Sequence, residues 1–179
     1  MSQPNIVMDA PLDILEVFLR PGEFYFGDEK TRIRTLLGSC VAITLWHPHR
    51  HIGGMCHYML PQRPQRRQSD ALDGRYASEV MLMIAHELKQ SGSRPGEYQV
   101  KLFGGGQMFH RNEKLRHVDI SERNVEVGRE LVQRHGFRLL AEDLGGQGHR
   151  NVIFDLWSGD VWLKKSALRA PPQSQAAVS

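Results

Sequence analysis

Two short apolar segments separated by a five-residue turn restrict what this chain can fold into. The first, Val41-Ala42-Ile43-Thr44-Leu45-Trp46, follows a Gly38-Ser39 bend, and the second covers about residues 52–59. Between them, His47-Pro48-His49-Arg50-His51 is too polar and proline-bound to continue either one. Apolar, β-branched and aromatic runs bounded in this way read as a hairpin. Closing the hairpin brings the start of its first strand beside the end of its second. Cys40 and His57, seventeen residues apart, therefore land at the same end. A thiol becomes a nucleophile at neutral pH only when a neighbour takes its proton or stabilises the thiolate, and histidine is the usual neighbour. Strand alternation turns Cys56 away from His57, so Cys56 is expected to pack. Cys40 sits at the turn rather than within the strand, which argues against a packing role.

The rest of the chain reads as layers around that hairpin. Residues 23–27 and 33–37 are expected as strands entering the bend. A helix is expected over 76–90, with Tyr76, Val80, Ile84 and Leu88 four apart and Ser91-Gly92 as its stop. Residues 97–103 read as a strand running into Gly104-Gly105-Gly106. Ser121 is expected to cap a helix reaching residue 135, with Val125, Leu131 and Val132 on one side and Gly136 ending it. Residues 137–141, 151–157 and 161–165 complete the strands, the last two joined by Ser158-Gly159-Asp160. Strands outnumber helices and hairpins are adjacent, so an α+β fold with mixed or antiparallel sheets is expected, not a doubly wound one. Residues 1–19 read as an N-terminal arm, 20–168 as a single domain, and 169–179, with Ala170-Pro171-Pro172, as a disordered tail.

Composition excludes several classes. The 179 residues are 40% hydrophobic and 24% charged, ordinary for a soluble domain. The longest apolar run, Val80-Met81-Leu82-Met83-Ile84-Ala85, is cut by His86 and Glu87, far short of the roughly 18 residues of a membrane span. Asp9, Asp13 and Glu16 interrupt the N-terminal apolar stretch, which does not read as a signal peptide. Two unpaired thiols suit a reducing cytosol, so a cytoplasmic protein is expected. The net charge of +3 is mild, and much of the excess lies in Arg63, Arg66 and Arg67 of the loop after Pro61. No aromatic interleaving accompanies them, so no nucleic-acid partner is expected. A solvated loop is the plainer reading. The alternative is a basic rim, with Arg66 and Arg67 meeting an acidic substrate.

Leu36-Leu37-Gly38-Ser39-Cys40-Val41-Ala42 followed by Gly53-Gly54-Met55-Cys56-His57-Tyr58-Met59-Leu60-Pro61 resembles the paired signature of the chemoreceptor glutamine deamidase family, CheD. Further blocks follow in the family's order: Gly74-Arg75-Tyr76, Lys101-Leu102-Phe103-Gly104-Gly105-Gly106 with Met108-Phe109, Arg123-Asn124-Val125-Glu126, Leu140-Ala141-Glu142-Asp143-Leu144-Gly145-Gly146, and Arg150-Asn151-Val152-Ile153-Phe154. The blocks span about residues 22–164, a whole domain. The resemblance implies a layered sandwich of β-sheets flanked by helices, related to toxin cysteine deamidases. It implies hydrolysis of glutamine side-chain amides in methyl-accepting chemotaxis receptors, with Cys40 as nucleophile, His57 as base and no cofactor. A CheC-type phosphatase is the further partner it implies. Methyl esters follow the same tetrahedral route, so esterase activity is chemically open. Backbone N–H groups at Gly38-Ser39-Cys40, centred on Ser39, are the natural oxyanion donors.

A third group should orient the imidazole. The family pattern places a threonine six residues before the cysteine, where this chain has Arg34. Thr35 lies one residue nearer, and a regular strand would turn it to the other face unless a bulge restores the register. A second departure is Ser78, where the pattern has aspartate. Other motifs have plainer readings. His47, His49 and His51 belong to a turn with nothing converging their rings, so no metal site is expected. The triple glycine lacks the Lys-Ser/Thr of a phosphate loop and reads as backbone passing close to the site. A docking module is the competing class, but it has no need of both Cys40 and His57. A thiol redox protein is disfavoured by the lack of Cys-x-x-Cys.

Overall fold

The computed structural model describes residues 9–108 and 120–167. The expected tail, the first part of the expected arm and Phe109 lie outside the described residues. In chain order the elements are β1 (Leu15–Leu19), β2 (Phe24–Gly27), β3 (Thr31–Leu37), β4 (Val41–His47), β5 (Ile52–Cys56), α1 (Ala77–Gln90), β6 (Gln99–Gly104), α2 (Ile120–Arg134), β7 (Arg138–Leu144), β8 (His149–Asp155) and β9 (Val161–Ser166). They form a four-stranded sheet, β1-β3-β8-β9, and a five-stranded sheet, β2-β5-β4-β6-β7. β1 runs parallel to β3 and β6 parallel to β7, and the other pairs are antiparallel. The sheets are mixed, as the pattern of strands and hairpins requires.

Three layers result. Leu19, Ile33, Leu37, Ala42, Met55, Val152 and Phe154 fill the space between the sheets. Val41, Ile43, Leu45, Cys56 and Tyr58 meet α1 and α2 in a second core. The helices thus cover the five-stranded sheet on one side only. β4 lies in the middle layer, which explains its unbroken apolar run: both of its faces are buried. β3 is buried only toward its partner sheet and alternates, with Thr31, Ile33, Thr35 and Leu37 inward and Arg32, Arg34 and Leu36 outward. β1, from the stretch read as an arm, pairs along β3 from Leu15↔Thr31 to Leu19↔Thr35.

α1 buries Val80, Met81, Ile84 and Leu88, the helical stripe read from the sequence. α2 buries Ser121, Asn124, Val125, Gly128, Leu131 and Val132. Ser121 lies inside its first turn. Two members of that stripe, Asn124 and Gly128, are not core formers, and both turn out to face the site. The chain changes sheets at Gly38-Ser39-Cys40, between β3 and β4, so this bend joins two layers at one end of the sandwich.

Candidate active site

The β4–β5 register decides which residues share a face. Thr44 pairs with Met55 and Leu45 with Gly54, and the isolated bridge Val41↔Tyr58 carries the same register beyond β5. Ala42 therefore stands opposite His57, and Cys40 is the diagonal neighbour of His57 on the same face, roughly 7 Å away in a regular pair. That face looks toward the four-stranded sheet. Cys56 and Tyr58 look the other way, into the helix-side core. His57 is fixed by its backbone, which donates to Glu23 O (3.0 Å) and accepts from Gly22 N–H (2.7 Å).

His57 is 2% exposed, and its Nδ1 lies 2.7 Å from Thr35 Oγ1. The Thr35 hydroxyl has one proton, and it donates to the Leu19 carbonyl at 2.9 Å. A carbonyl can only accept, so Thr35 Oγ1 must accept from His57 Nδ1–H. This fixes the tautomer and leaves the lone pair on Nε2. Nε2 is buried and has no hydrogen-bond partner among the described residues. Burial pushes the imidazole down to about 4, against a weaker upward pull from the Glu23 carboxylate. A neutral imidazole with a free, buried lone pair is a proton acceptor in waiting.

No bulge is needed to bring Thr35 here. The expectation that its strand position turns it away counted alternation from Cys40 back through a bend, where alternation does not hold. β3 belongs to the other sheet, and its own alternation puts Thr35 inward. Arg34 points outward and donates to Glu16 Oε1 at 2.8 Å.

Cys40 is half-buried. Burial raises its thiol above the ordinary value, and a hydrogen bond with the Ser39 side chain opposes the rise. Its backbone is clamped from below. Gly105 N–H donates to Cys40 O (2.8 Å) and Gly106 N–H to Gly38 O (2.9 Å). A Cβ on Gly104, at φ 115°, would stand 2.2 Å from Cys40 O, so only glycine lets the end of β6 pass this close. The Ser39 and Cys40 N–H groups donate to no described residue, which leaves two adjacent amides at the thiol. Cys56, by contrast, is wholly buried and its thiol is pushed up to about 12. Only one of the two thiols is placed for chemistry.

A family model described as CheD chemotactic sensory transduction matches residues 59–165. A protein of Pseudomonas savastanoi pv. phaseolicola named "Probable chemoreceptor glutamine deamidase CheD" is 50% identical over 164 residues, 91% of this chain and 92% of that protein. A protein of Dechloromonas aromatica named "Probable chemoreceptor glutamine deamidase CheD 3" is 53% identical over 154 residues, covering 86% and 89%. A more distant relative from Leptospira interrogans, named "Probable chemoreceptor glutamine deamidase CheD 1", retains 41% identity over 161 residues, 87% of this chain and 95% of that protein. The chain belongs to the CheD family.

In this CheD-family chain, residues of the matching blocks to which sequence reasoning gave no site role support the site. Asn124 on α2 donates through Nδ2 to Ser39 O (3.3 Å) and Met59 O (2.7 Å). Its own backbone carbonyl accepts from Tyr58 O–H at 2.5 Å. Gly128 makes room for that hydroxyl, since a Cβ there would lie 2.4 Å from Tyr58 Oη. Arg150, 4% exposed and paired with Leu37 in β3, donates to Asp143 Oδ1 (2.9 Å) and Gly145 O (2.6 Å) beside Gly106. The signal that could have found Asn124 is a polar side chain on the apolar stripe of an amphipathic helix. An adjoining cavity of about 300 Å³ is lined by Gly105, Gln107, Val125, Leu144 and Gly145 among others, but not by Cys40 or His57.

The basic loop is less free than its sequence implies. Arg63 is locked bidentately on the buried Glu79 (2.8 Å to each oxygen), which also accepts from Asp73 N–H. Arg66 Nε lies 3.6 Å from the same carboxylate. Arg67 is exposed and makes no ion pair with a described residue. Of the two arginines expected to meet substrate, only Arg67 keeps its charge uncommitted. The turn histidines hold the turn: His47 Nδ1 faces the N–H groups of His49 (3.4 Å) and Arg50 (3.3 Å), and His51 stacks on Trp46. No described helix is long and apolar enough to cross a membrane.

Proposed function

We propose that this chain is a cytoplasmic chemoreceptor glutamine deamidase, converting glutamine side chains of methyl-accepting chemotaxis proteins to glutamate with release of ammonia. The names of its relatives support the reaction. The observation that carries the mechanism is the Leu19–Thr35–His57 relay, which leaves the Nε2 lone pair without a partner among the described residues, on an imidazole that shares its strand face with Cys40. Both thiol and imidazole are neutral at pH 7, since burial raises one and lowers the other. Proton transfer therefore accompanies attack and does not precede it as a standing ion pair. In the resting structure the thiol turns to Ser39, and rotation about χ1 aims it at substrate.

The steps follow from this. Nε2 takes the Cys40 proton as sulfur bonds to the carboxamide carbon, and the C=O electrons move onto oxygen. The Ser39 and Cys40 amides receive that oxyanion, a contribution of about 3 kcal/mol in comparable acyl transfers. Collapse expels the amine, which takes the proton from the imidazolium and leaves as ammonia. Water then attacks the thioester with His57 as base, and Cys40 recovers its proton as the glutamate departs. A methyl ester presents the same carbonyl, so esterase activity on methylated glutamate belongs to the same proposal. Arg67 supplies positive charge toward the acidic receptor helix. A CheC-type phosphatase stays the expected partner on the resemblance alone.

Incubation with a receptor cytoplasmic fragment tests the reading. Ammonia release, and the amide-to-acid mass gain on specific glutamine peptides, should occur with wild type and vanish with Cys40→Ala. Turnover by Cys40→Ala at a near-normal rate would overturn it.

A further inference from the structure

We infer that Asn124 is a positioning residue, a side chain that sets Cys40 and His57 in register by gripping the segments that carry both. This inference rests on the proposed Cys40/His57 chemistry and deepens it. Cys40 follows directly on Ser39, and His57 precedes Met59 by two residues. The two carbonyls that Asn124 Nδ2 meets are those of Ser39 and Met59. Both neighbours are acceptors, so the amide nitrogen, and not the oxygen, must face them. One planar NH₂ group thus ties the bend before the nucleophile to the strand end after the base.

Three further observations fit a device for alignment. Asn124 is wholly buried, yet its Oδ1 has no partner among the described residues. A buried carbonyl oxygen without a donor opposes folding, so the amide is held here for the two hydrogen bonds its nitrogen makes and not for the packing of its oxygen. The α2 backbone is pinned at the same residue, because Tyr58 O–H donates to Asn124 O. Tyr58 is the immediate neighbour of His57. Finally, Gly128 sits one turn on and leaves the space that this hydroxyl enters. The helix layer therefore touches both arms of the site, through Asn124 in one direction and Tyr58 in the other. The β4–β5 ladder alone does not hold the bend: within the five-stranded sheet Ser39 lies ahead of β4, and among the described residues its carbonyl accepts from Asn124 alone.

The test separates alignment from mere stability. Cys40 alkylation by iodoacetamide is followed with His57 present and with His57→Ala, in wild type and in Asn124→Ala and Asn124→Asp, all at neutral pH. Asn124→Asp keeps the shape and removes both donors. In wild type, losing His57 should slow alkylation by about 100-fold, the low end of a general base's contribution. In either Asn124 variant the same loss should cost less than about tenfold, because the pair is already out of register. In parallel, kcat on a receptor fragment should fall by about 10- to 100-fold with KM within about twofold. A His57 effect as large in the variants as in wild type would overturn the inference while leaving the Cys/His reading intact. A His57 effect near unity in wild type would overturn both. Where neither Asn124 variant folds by circular dichroism, Tyr58→Phe replaces them: it removes the second tie and should shrink the His57 effect in the same direction. An undiminished effect there overturns the inference as well.

Discussion

The two cysteines sit sixteen residues apart, one just ahead of β4 and one at the end of β5, and their environments have little in common. Cys40 lies on the bend between layers, half-buried, with two backbone amides donating to no described residue and a neutral imidazole on the same face. Cys56 lies within β5, facing α1 and α2, with burial alone pushing its thiol to about 12. The functional group is the same in both. What differs is which way the pleat points it, and whether a proton acceptor shares that side. A thiol packed among Ile43, Tyr58 and Ile84 behaves as a small hydrophobe. A thiol at the joint of two sheets meets a polar pair that neither sheet assembles alone.

The largest expected effect breaks the comparison outright. Cys40→Ala should lower deamidation by about 10⁴-fold or more, to background, with an unchanged circular dichroism spectrum. Cys56→Ala should leave kcat within about twofold and cost about 1 to 2 kcal/mol of stability, as small core truncations do. Activity lost with Cys56 and kept without Cys40 would reverse the assignment. Next comes the relay. Thr35→Val keeps the shape and removes the hydroxyl, so the Nδ1 proton loses its acceptor; kcat should drop by up to about 100-fold, and the unpaired buried groups should cost about 1 to 3 kcal/mol of stability. Thr35→Ser should restore most of the rate.

The pH dependence sharpens the comparison further. His57 has a folded pKa lowered from 6.5 to about 4. The folded state thus binds fewer protons than the unfolded one, and stability rises with pH across this range. The contribution is fully present above pH 6.5 and is lost as pH falls toward about 4. Denaturant melts between pH 7 and 4 should show this slope, and His57→Asn should flatten it. The acid limb of kcat/KM should also fall well below pH 6.5 and not at it. Cys40 should label with iodoacetamide in the native protein, while Cys56 should label only at the rate of unfolding, as peptide mapping over time will show. The smallest effect concerns Arg67. Arg67→Glu should raise KM for receptor by about threefold at low ionic strength and by less at high salt, with kcat unchanged. Coincident salt curves would return the loop to a solvated one.

Much of this was legible in the chain, and the exceptions have physical causes. The hairpin, both helices and the opposite facing of Cys56 and His57 follow from local periodicity, which the fold respects. Thr35 was harder, because counting alternation through Gly38-Ser39 assumes one continuous strand, whereas the chain changes sheets there. β1 falls in the stretch that reads as an arm, because its five residues, which pair in parallel with β3, carry no turn signal of their own. Asn124 falls within one of the blocks of the resemblance, but its role depends on two carbonyls far off in sequence, and the sign of that role in the chain itself is an amide on an apolar stripe.

The bend at Gly38-Ser39-Cys40 has a consequence for how competence is acquired. Thr35 comes from one sheet, Cys40 and His57 from the other, and Asn124 from the helices, so no subset of layers holds the whole constellation. Each tie joins residues distant along the chain, and such contacts form late because loop closure must precede them. Enhanced reactivity of Cys40 during refolding should thus act as a clock for the final docking of layers, lagging behind the appearance of helical signal. A collapsed chain with its secondary structure in place but its sheets undocked would carry Cys40 as an ordinary thiol.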